Sequence, residues 1–184
     1  KILEYGCGTG EIALRLTKLG GNVDTWDESE EMRKSASAKL GKEKVFNKFE
    51  EIPKKSYDTI FCNLVLCIID EKEDRRIMDR LNKYLADNGV VYVGFCNPLD
   101  YNIKETKLQY RKTTGANYGE HHVYKKTIKD GGWKITERHK PIEFYEKLFV
   151  DSGFIMEDKI FSTPEIIDGE KRSDFVMYKL EVKD

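Results

Sequence analysis

Three glycines near the start of the chain, Gly6, Gly8 and Gly10, have the spacing of a ligand-binding turn. The apolar residues before them predict a strand, and residues 11–16 carry apolar side chains at helical spacing, which predicts a helix. Glycines let the backbone turn sharply and approach a bound molecule, and the N–H groups at a helix N-terminus favour anionic or electron-rich groups. The junction therefore predicts a binding site.

The glycine spacing distinguishes two kinds of nucleotide site. A dinucleotide fingerprint places its third glycine where this chain has Glu11. The alternate glycines, preceded by the acid Glu4, instead resemble motif I of the class I (Rossmann-like) S-adenosylmethionine-dependent methyltransferases. The resemblance implies S-adenosyl-L-methionine as the cofactor, with Glu4 at its methionine amino end and the glycines making room for the ribose and methionyl portion. The implied contacts are Glu4, Tyr5, Gly6, Cys7, Gly8 and Gly10.

A second acid follows the predicted second strand, residues 22–27. A carboxylate at the tip of this strand is placed to accept hydrogen bonds from both ribose hydroxyls of an adenosine, and Asp27 is the candidate, with Glu28 as the alternative. Asp27 also precedes a predicted helix over residues 30–40, so the bland interpretation is a helix N-cap; the two roles are compatible, and ribose binding is preferred. The resemblance places Met32 near the adenine.

A third strand is predicted at residues 44–47, and the segment after it resembles the part of the family that reads the adenine. Many members have an aspartate there, whereas this chain has Lys48. Lysine has no acceptor for the adenine amino group, so backbone groups are expected to read that edge, with Phe49 and Glu50 alongside.

Residues 56–66 predict a fourth strand that is buried on both faces, because its apolar run is nearly continuous. In open α/β sheets ligands bind beyond the carboxyl ends of the strands, which places Asn63, Leu64 and Cys67 near the transferable methyl. A helix over residues 71–85 is expected to end at residues 87–89, and a fifth strand at 90–96 leads to Asn97, a candidate substrate contact. The Asn-Pro-Pro-Tyr signature of amino-group methylation is not matched at Asn97.

Residues 123–128 and 133–138 predict a β-hairpin with a turn of four residues. If Ile128 faces Trp133, His122 lies opposite His139, and all three histidines cluster at the open end beside Glu120. A histidine is a suitable base for an oxygen or nitrogen acceptor, so His122, His139 and Tyr124 are candidate catalytic residues, and Glu120 is a candidate substrate contact. Adjacent strand residues point to opposite faces, so no metal site is expected.

Alternating strands and helices predict an α/β fold with a doubly wound, seven-stranded, mostly parallel sheet. The resemblance implies the order 3-2-1-4-5-7-6, with an antiparallel last strand and the hairpin inserted after the fifth strand. A helix over 141–152 and strands at 154–161 and 173–182 complete this pattern. The expected organisation is a single methyltransferase domain over 1–184, with a cofactor-binding half (1–98), an insertion that caps the substrate (99–140) and a C-terminal part (141–184). Family members usually carry lid helices before the first strand, which suggests that the sequence is a fragment.

The composition sets broad limits. The 184 residues carry 32 Lys and Arg against 33 Asp and Glu, so net charge gives no general argument for a nucleic-acid or membrane partner. The longest apolar run is too short to span a bilayer, and no signal peptide is evident, so a cytoplasmic protein is expected. The four cysteines lack a C-x-x-C pair and are expected to be reduced.

The main hypothesis is methyl transfer to an oxygen or nitrogen atom of a small-molecule acceptor, and nothing in the sequence indicates the oligomeric state. One alternative is an RNA or protein methyltransferase, with a basic face formed by Lys104, Lys107, Arg111, Lys112, Lys125 and Lys126. The other is a cofactor-binding module without catalysis that regulates a partner.

Overall fold

The computed structural model describes residues 1–112 and 114–183. Its regular elements, in chain order, are β1 (Ile2–Tyr5), α1 (Glu11–Lys18), β2 (Val23–Trp26), α2 (Glu30–Leu40), β3 (Tyr57–Asn63), α3 (Glu71–Tyr84), β4 (Leu85–Cys96), β5 (Gln109–Lys112), β6 (His122–Ile128), β7 (Lys134–His139), α4 (Ile142–Asp151), β8 (Phe154–Phe161), β9 (Glu165–Ile167), β10 (Glu170–Arg172) and β11 (Phe175–Val182).

A mostly parallel sheet of six strands, in the order β2-β1-β3-β4-β11-β8, forms the centre of the fold. The first four strands in this order are mutually parallel, and β11 pairs antiparallel with both β4 and β8. The buried side chains of β1 and β3 are mostly apolar, as a sheet covered on both faces requires, and the buried Glu4 of β1 and Thr25 of β2 are hydrogen-bonded.

The predicted third strand at residues 44–47 is absent, so the count of seven was wrong. A single parallel bridge, between Thr25 and Val45, stands at the edge of β2 where that strand was expected. Lys42–Lys44 forms a 3-10 turn, and the Glu51 carboxylate accepts hydrogen bonds from the backbone N–H groups of Asn47 and Lys48. These local bonds turn the chain back before a second rung of the ladder can form.

The boundary between α3 and β4 also differs from the prediction. Residues 87–89 do not follow a helix end, because α3 ends at Tyr84 and β4 already begins at Leu85. The register of β3 against β4 shifts between Tyr57 and Thr59, and Asn88 takes a positive φ of 66°. The polar residues 87–89 therefore lie within β4 as an irregularity of the strand, not in a separate turn.

The core lies between the sheet and its helices and is rich in aromatic side chains. The ring of Phe95 on β4 stacks on Tyr145 of α4 at 3.9 Å and on Tyr178 of β11 at 5.8 Å between centroids. All three side chains are at most 1% exposed. Stacked aromatic rings of this kind fix the C-terminal helix and last strand against β4.

The insertion, residues 99–140, forms a second sheet in the order β5-β6-β7, which we call the cap sheet. The predicted hairpin register is confirmed: His122 pairs with His139, and the Ile128 N–H donates to the Trp133 carbonyl at 2.8 Å. Strand β5 and the small hairpin β9–β10 were not predicted, because both segments are polar.

A polar seam, defined as Cys96, Arg111, Lys126, Glu137 and Asp174, joins the cap sheet to the central sheet. Arg111 pairs with Asp174 at 3.4 Å, and Lys126 pairs with Glu137; all four charged residues are at least nine-tenths buried.

No helix within the described ranges combines the length and apolar character needed to cross a bilayer.

Candidate functional site

A cavity of about 620 Å³ opens at the carboxyl ends of β1, β2 and β3, where the glycine turn enters α1. This is the edge at which ligands of open α/β sheets bind. Ten of the fourteen predicted cofactor contacts line it: Glu4, Tyr5, Gly6, Cys7, Gly8, Asp27, Glu28, Met32, Asn63 and Leu64. We call it the first cavity.

Glu4 is the buried acid of the first cavity, with 2% of its surface exposed. Its Oε2 accepts a hydrogen bond from the Ala13 N–H in the first turn of α1 at 2.9 Å. Burial raises the pKa of Glu4 to about 7, the bond from Ala13 opposes this, and the charge of Asp27 adds to it. A nearby cation would therefore be strongly favoured, because it would stabilise the ionised carboxylate.

Asp27 is the second acid and is held in place by the backbone on both sides. Its Oδ2 accepts from the Gly8 N–H at 2.8 Å and its Oδ1 accepts from the Ser29 N–H at 2.9 Å. The N-cap of α2 is Ser29, whose Oγ accepts from the Met32 N–H, so Asp27 is not the N-cap itself. Each carboxylate oxygen retains a second lone pair that can accept from a ligand hydroxyl.

The three glycines have different roles. A Cβ on Gly6 would lie 2.3 Å from Val65 Cγ2, so this position must be glycine for the loop to pass the wall of the cavity. Gly8 faces open space, which leaves room for a ligand. Gly10 does not line the first cavity; a Cβ there would lie 3.2 Å from Ala36 and from Leu40, so it permits close packing of the turn against α2.

Asn63 and Leu64 line the first cavity at the end of β3. The Leu64 N–H donates to the Gly94 carbonyl at 2.7 Å, and Leu64 takes a positive φ of 59°. Asn63 Oδ1 lies over Gly94, where a Cβ would approach within 2.2 Å. The lack of a side chain on β4 thus makes room for the Asn63 amide.

Several residues of the first cavity were not predicted, Trp26 and Arg80 among them. The indole Nε1–H of Trp26 is buried without a hydrogen-bond partner in residues 1–112 and 114–183. Arg80 on α3 donates to the Tyr5 hydroxyl at 3.0 Å. The sequence gave no signal for Arg80, because it lies among the many charged residues of an amphipathic helix.

Three predicted adenine contacts, Lys48, Phe49 and Glu50, do not line the first cavity. Lys48 and Glu50 are exposed, and Phe49 packs edge-on against Trp26 with the Arg80 guanidinium 4.2 Å from its ring centroid. The missing third strand explains the difference, because a 3-10 turn at Phe49–Glu51 sets Phe49 behind the cavity wall.

A second cavity, of about 490 Å³, lies between the start of α3 and the open end of the hairpin. All three histidines of the chain line it, as the hairpin register predicts. The rings of His122 and His139 stack at 4.7 Å, and His121 pairs with Glu71. The predicted neighbour Glu120 is exposed, bonds to Asn117 and does not line this cavity.

The hydrogen bonds of the stacked pair fix which nitrogen carries the proton. His122 Nδ1 lies 2.9 Å from the Glu120 carbonyl and His139 Nε2 lies 2.7 Å from the Tyr118 carbonyl. A carbonyl can only accept, so these two nitrogens carry the hydrogens, and the neutral rings keep bare lone pairs on His122 Nε2 and His139 Nδ1. Burial, above the smaller effects of neighbouring charges, lowers the pKa of His139.

The other predicted reactive residues are engaged within the protein. The Tyr124 hydroxyl donates to Glu137, and burial raises its pKa well above the ordinary value, so it is unsuited to be a base. Cys67 and Cys96 lie with Glu137 in a buried group whose ligand atoms are within 4.8 Å of one another. The Lys126 ammonium lies 3.0 Å from Cys96 Sγ and pairs with Glu137, so a positive charge is already present there.

The candidate substrate contacts Cys67 and Asn97 are both buried in the structure. Cys67 is 3% exposed, lies in that buried group and lines neither cavity. Asn97 is 5% exposed; its amide donates to the Ser173 carbonyl and its Oδ1 accepts from the Leu99 N–H. Cys67 lies four residues beyond the end of β3, where its carbonyl accepts from the Arg138 N–H of β7. Asn97 directly follows β4 and is bonded to the loop before β11.

Comparison with known proteins agrees with this geometry. Residues 3–93 match the family described as a methyltransferase domain. A protein of Geobacillus sp. (strain WCH70), provisionally named a methyltransferase, is 36% identical over 99 residues, and the match covers 50% of this chain but 40% of that relative. The chain therefore accounts for less than half of the length of this relative.

Solved structures share the fold across the whole chain. An S-adenosylmethionine-dependent methyltransferase from Clostridium acetobutylicum ATCC 824 superposes with a TM-score of 0.72 at 17% identity, covering 100% of this chain and 84% of that one. The glycopeptide N-methyltransferase MtfA, complexed with S-adenosylmethionine, gives 0.69 at 16% identity, covering 100% and 86%. At these identities the similarity shows the fold.

Proposed function

We propose that this chain, which belongs to the class I S-adenosylmethionine-dependent methyltransferases, transfers a methyl group from S-adenosylmethionine to an oxygen or nitrogen atom of a small-molecule acceptor. The observation that carries the proposal is the convergence of Glu4, Asp27 and the glycine turn on the first cavity. The unpartnered Trp26 N–H and the open space at Gly8 also fit a polar ligand of this size.

Each acid has one role in holding the cofactor. Glu4 binds the cationic amino group of the methionyl portion through the carboxylate oxygen that Ala13 does not use. Asp27, fixed by Gly8 and Ser29, accepts from the ribose hydroxyls. When bound, S-adenosylmethionine supplies an electrophilic methyl on a sulfonium. The protein contributes mainly by orienting the two reactants, because holding them in the reactive geometry removes a large part of the activation barrier.

His122 is the proposed base. Its bare Nε2 can take the proton that an oxygen or nitrogen acceptor loses, while the Glu120 carbonyl holds Nδ1–H and fixes the ring. His139, stacked on it and kept neutral by burial, orients the imidazole rather than competing for the proton.

Titration calorimetry with S-adenosylmethionine and S-adenosylhomocysteine tests the cofactor site. Asp27→Ala is expected to weaken binding about tenfold or more, since hydrogen bonds to a charged group are lost. Glu28→Ala, the exposed neighbour on the rim of the same cavity, is the matched control and should stay within about threefold. Equal affinities for wild type and Asp27→Ala would contradict the assignment.

The base is tested by turnover, followed as release of S-adenosylhomocysteine with an acceptor found by screening. His122→Ala is expected to lower the rate about a hundredfold, the usual contribution of a general base. His121→Ala is the control, because His121 is paired with Glu71 and lies outside the stack. Unchanged rates in both His122→Ala and His139→Ala would exclude a histidine base.

The two alternatives have less support. Arg111 and Lys126 of the expected basic face are buried and paired, so Lys104, Lys107, Lys112 and Lys125 remain exposed there. RNA binding that weakens steeply with salt would favour the nucleic-acid alternative. Cofactor binding without transfer to any acceptor would favour the module without catalysis.

A further inference from the structure

The second cavity and the first share one wall. Ile68, Ile69 and Glu73 line the first cavity, and residues 70–72 between them line the second. A molecule in the second cavity therefore lies across the start of α3 from the cofactor site. Its volume, about 490 Å³, is in the range that binds small organic ligands.

The acids that line the second cavity are already engaged. Asp70 caps α3, with its Oδ1 accepting from the backbone N–H groups of Lys72 at 3.1 Å and Glu73 at 3.2 Å. Glu71 pairs with His121. Both carboxylates thus already have hydrogen-bond partners within the protein.

Two cations of the same cavity are free. In the part of the chain that the structure describes, the side chains of Arg138 and Lys72 have no ion-pair or hydrogen-bond partner. The third cation, Lys140, forms an ion pair with Asp74 and donates to the Leu66 carbonyl at 2.8 Å. Among the described residues that line this cavity, Arg138 and Lys72 are therefore the cations that remain available to a ligand, and the positive N-terminal end of the 14-residue helix α3 lies beside them.

The backbone of Arg138 is held rigidly. Its N–H donates to the Cys67 carbonyl at 2.8 Å, which ties β7 to the loop after β3. A guanidinium presented from a fixed strand suits a planar anion, because its parallel N–H groups match the two oxygens of a carboxylate or phosphate.

We propose that the acceptor carries an anionic group, a carboxylate or a phosphate, which binds in the second cavity to Arg138 and Lys72 beside His122. That the bound anion is the methyl acceptor rests on the proposed methyl transfer. The anion site itself can be tested without cofactor. The neutral remainder of the acceptor would then extend toward the shared wall, with its nucleophilic atom within reach of a histidine.

The test uses imidazole NMR resonances, since every histidine of the chain lines this cavity. Inorganic phosphate and acetate are titrated separately at fixed pH, with chloride at matched ionic strength as the reference. We expect a saturable shift with at least one of the two oxyanions, and which one binds more tightly distinguishes phosphate from carboxylate acceptors. Arg138→Gln is expected to weaken binding about tenfold, as for loss of a charge-assisted hydrogen bond. Lys125→Gln, exposed on β6 outside the cavity, is the control.

Shifts that grow linearly and equally with all three salts, or equal affinity in Arg138→Gln, would overturn the proposal. A second arm screens matched pairs of an acid and its neutral amide as acceptors, and the acid is expected to be the better substrate. Equal turnover of both members would also overturn it. Failure of cofactor binding in calorimetry would contradict the proposed function but leave the anion titration readable, so the two failures are distinguishable.

Discussion

Replacing Glu4 by glutamine should remove the pH dependence that this carboxyl imposes on folding. Glutamine has nearly the same shape and can still accept the hydrogen bond from the Ala13 N–H. It cannot ionise. The variant therefore removes a titration from the buried site while leaving its packing and helix contact in place.

The size of the effect follows from the pKa. In the unfolded chain the carboxyl has its ordinary pKa of 4.5, and in the folded protein burial raises the pKa of Glu4 to about 7. The folded state then holds the proton more tightly, so the stabilisation is complete below about pH 4.5 and is lost as the pH rises through about 7. Between about pH 5 and about pH 8 this loss is on the order of 2 to 3 kcal/mol.

Urea unfolding of wild type and Glu4→Gln across that window gives the measurement. Other groups titrate alike in both proteins and cancel in the difference, which should favour the variant increasingly as the pH rises. Glu31→Gln, an exposed carboxyl on α2, is the control and should show a flat difference. A flat difference for Glu4→Gln as well would refute the reasoning. Calorimetry supplies a second readout: wild type should release a proton on binding S-adenosylmethionine near pH 7, and Glu4→Gln should not.

Other substitutions test the glycine turn and the polar seam. Gly6→Ala should destabilise the protein by roughly 1 to 3 kcal/mol and weaken cofactor binding, because its Cβ collides with the cavity wall; Gly8→Ala, where φ is also positive but space is open, should cost less in urea unfolding. Lys126→Met should cost about 3 to 5 kcal/mol, because it leaves Glu137 buried and unpaired, whereas Lys125→Met on the exposed face of the same strand should be within about 0.5 kcal/mol.

Local patterns predicted the first cavity well. Alternate glycines and an acid at a strand end determine where a backbone must turn and what lies beside it, so Glu4, Gly6, Gly8 and Asp27 fall on one cavity. The hairpin register followed from a turn length, because pairing across a hairpin is fixed once the turn is known.

The differences arise where long-range contacts decide. Strand β5 forms because it pairs with the edge of β6, and the polar sequence of β5 gives no local sign of this pairing. Asn97 follows the end of β4 at the ligand edge, yet its amide donates to the Ser173 carbonyl in the loop before β11. Lysine is usually found at the surface, and the burial of Lys126 depends on its ion pair with Glu137 of the next strand.

The polar seam has a consequence for protein engineering. Apolar surfaces tolerate sliding and repacking, whereas buried ion pairs require their partners at fixed positions. On one side of the seam, Cys96 ends β4 of the central sheet and Asp174 immediately precedes β11; on the other side, Arg111, Lys126 and Glu137 belong to the cap sheet. A chimera that exchanges the cap sheet of this protein for that of another protein with the same fold should therefore fold only when both sides of the seam are transferred together.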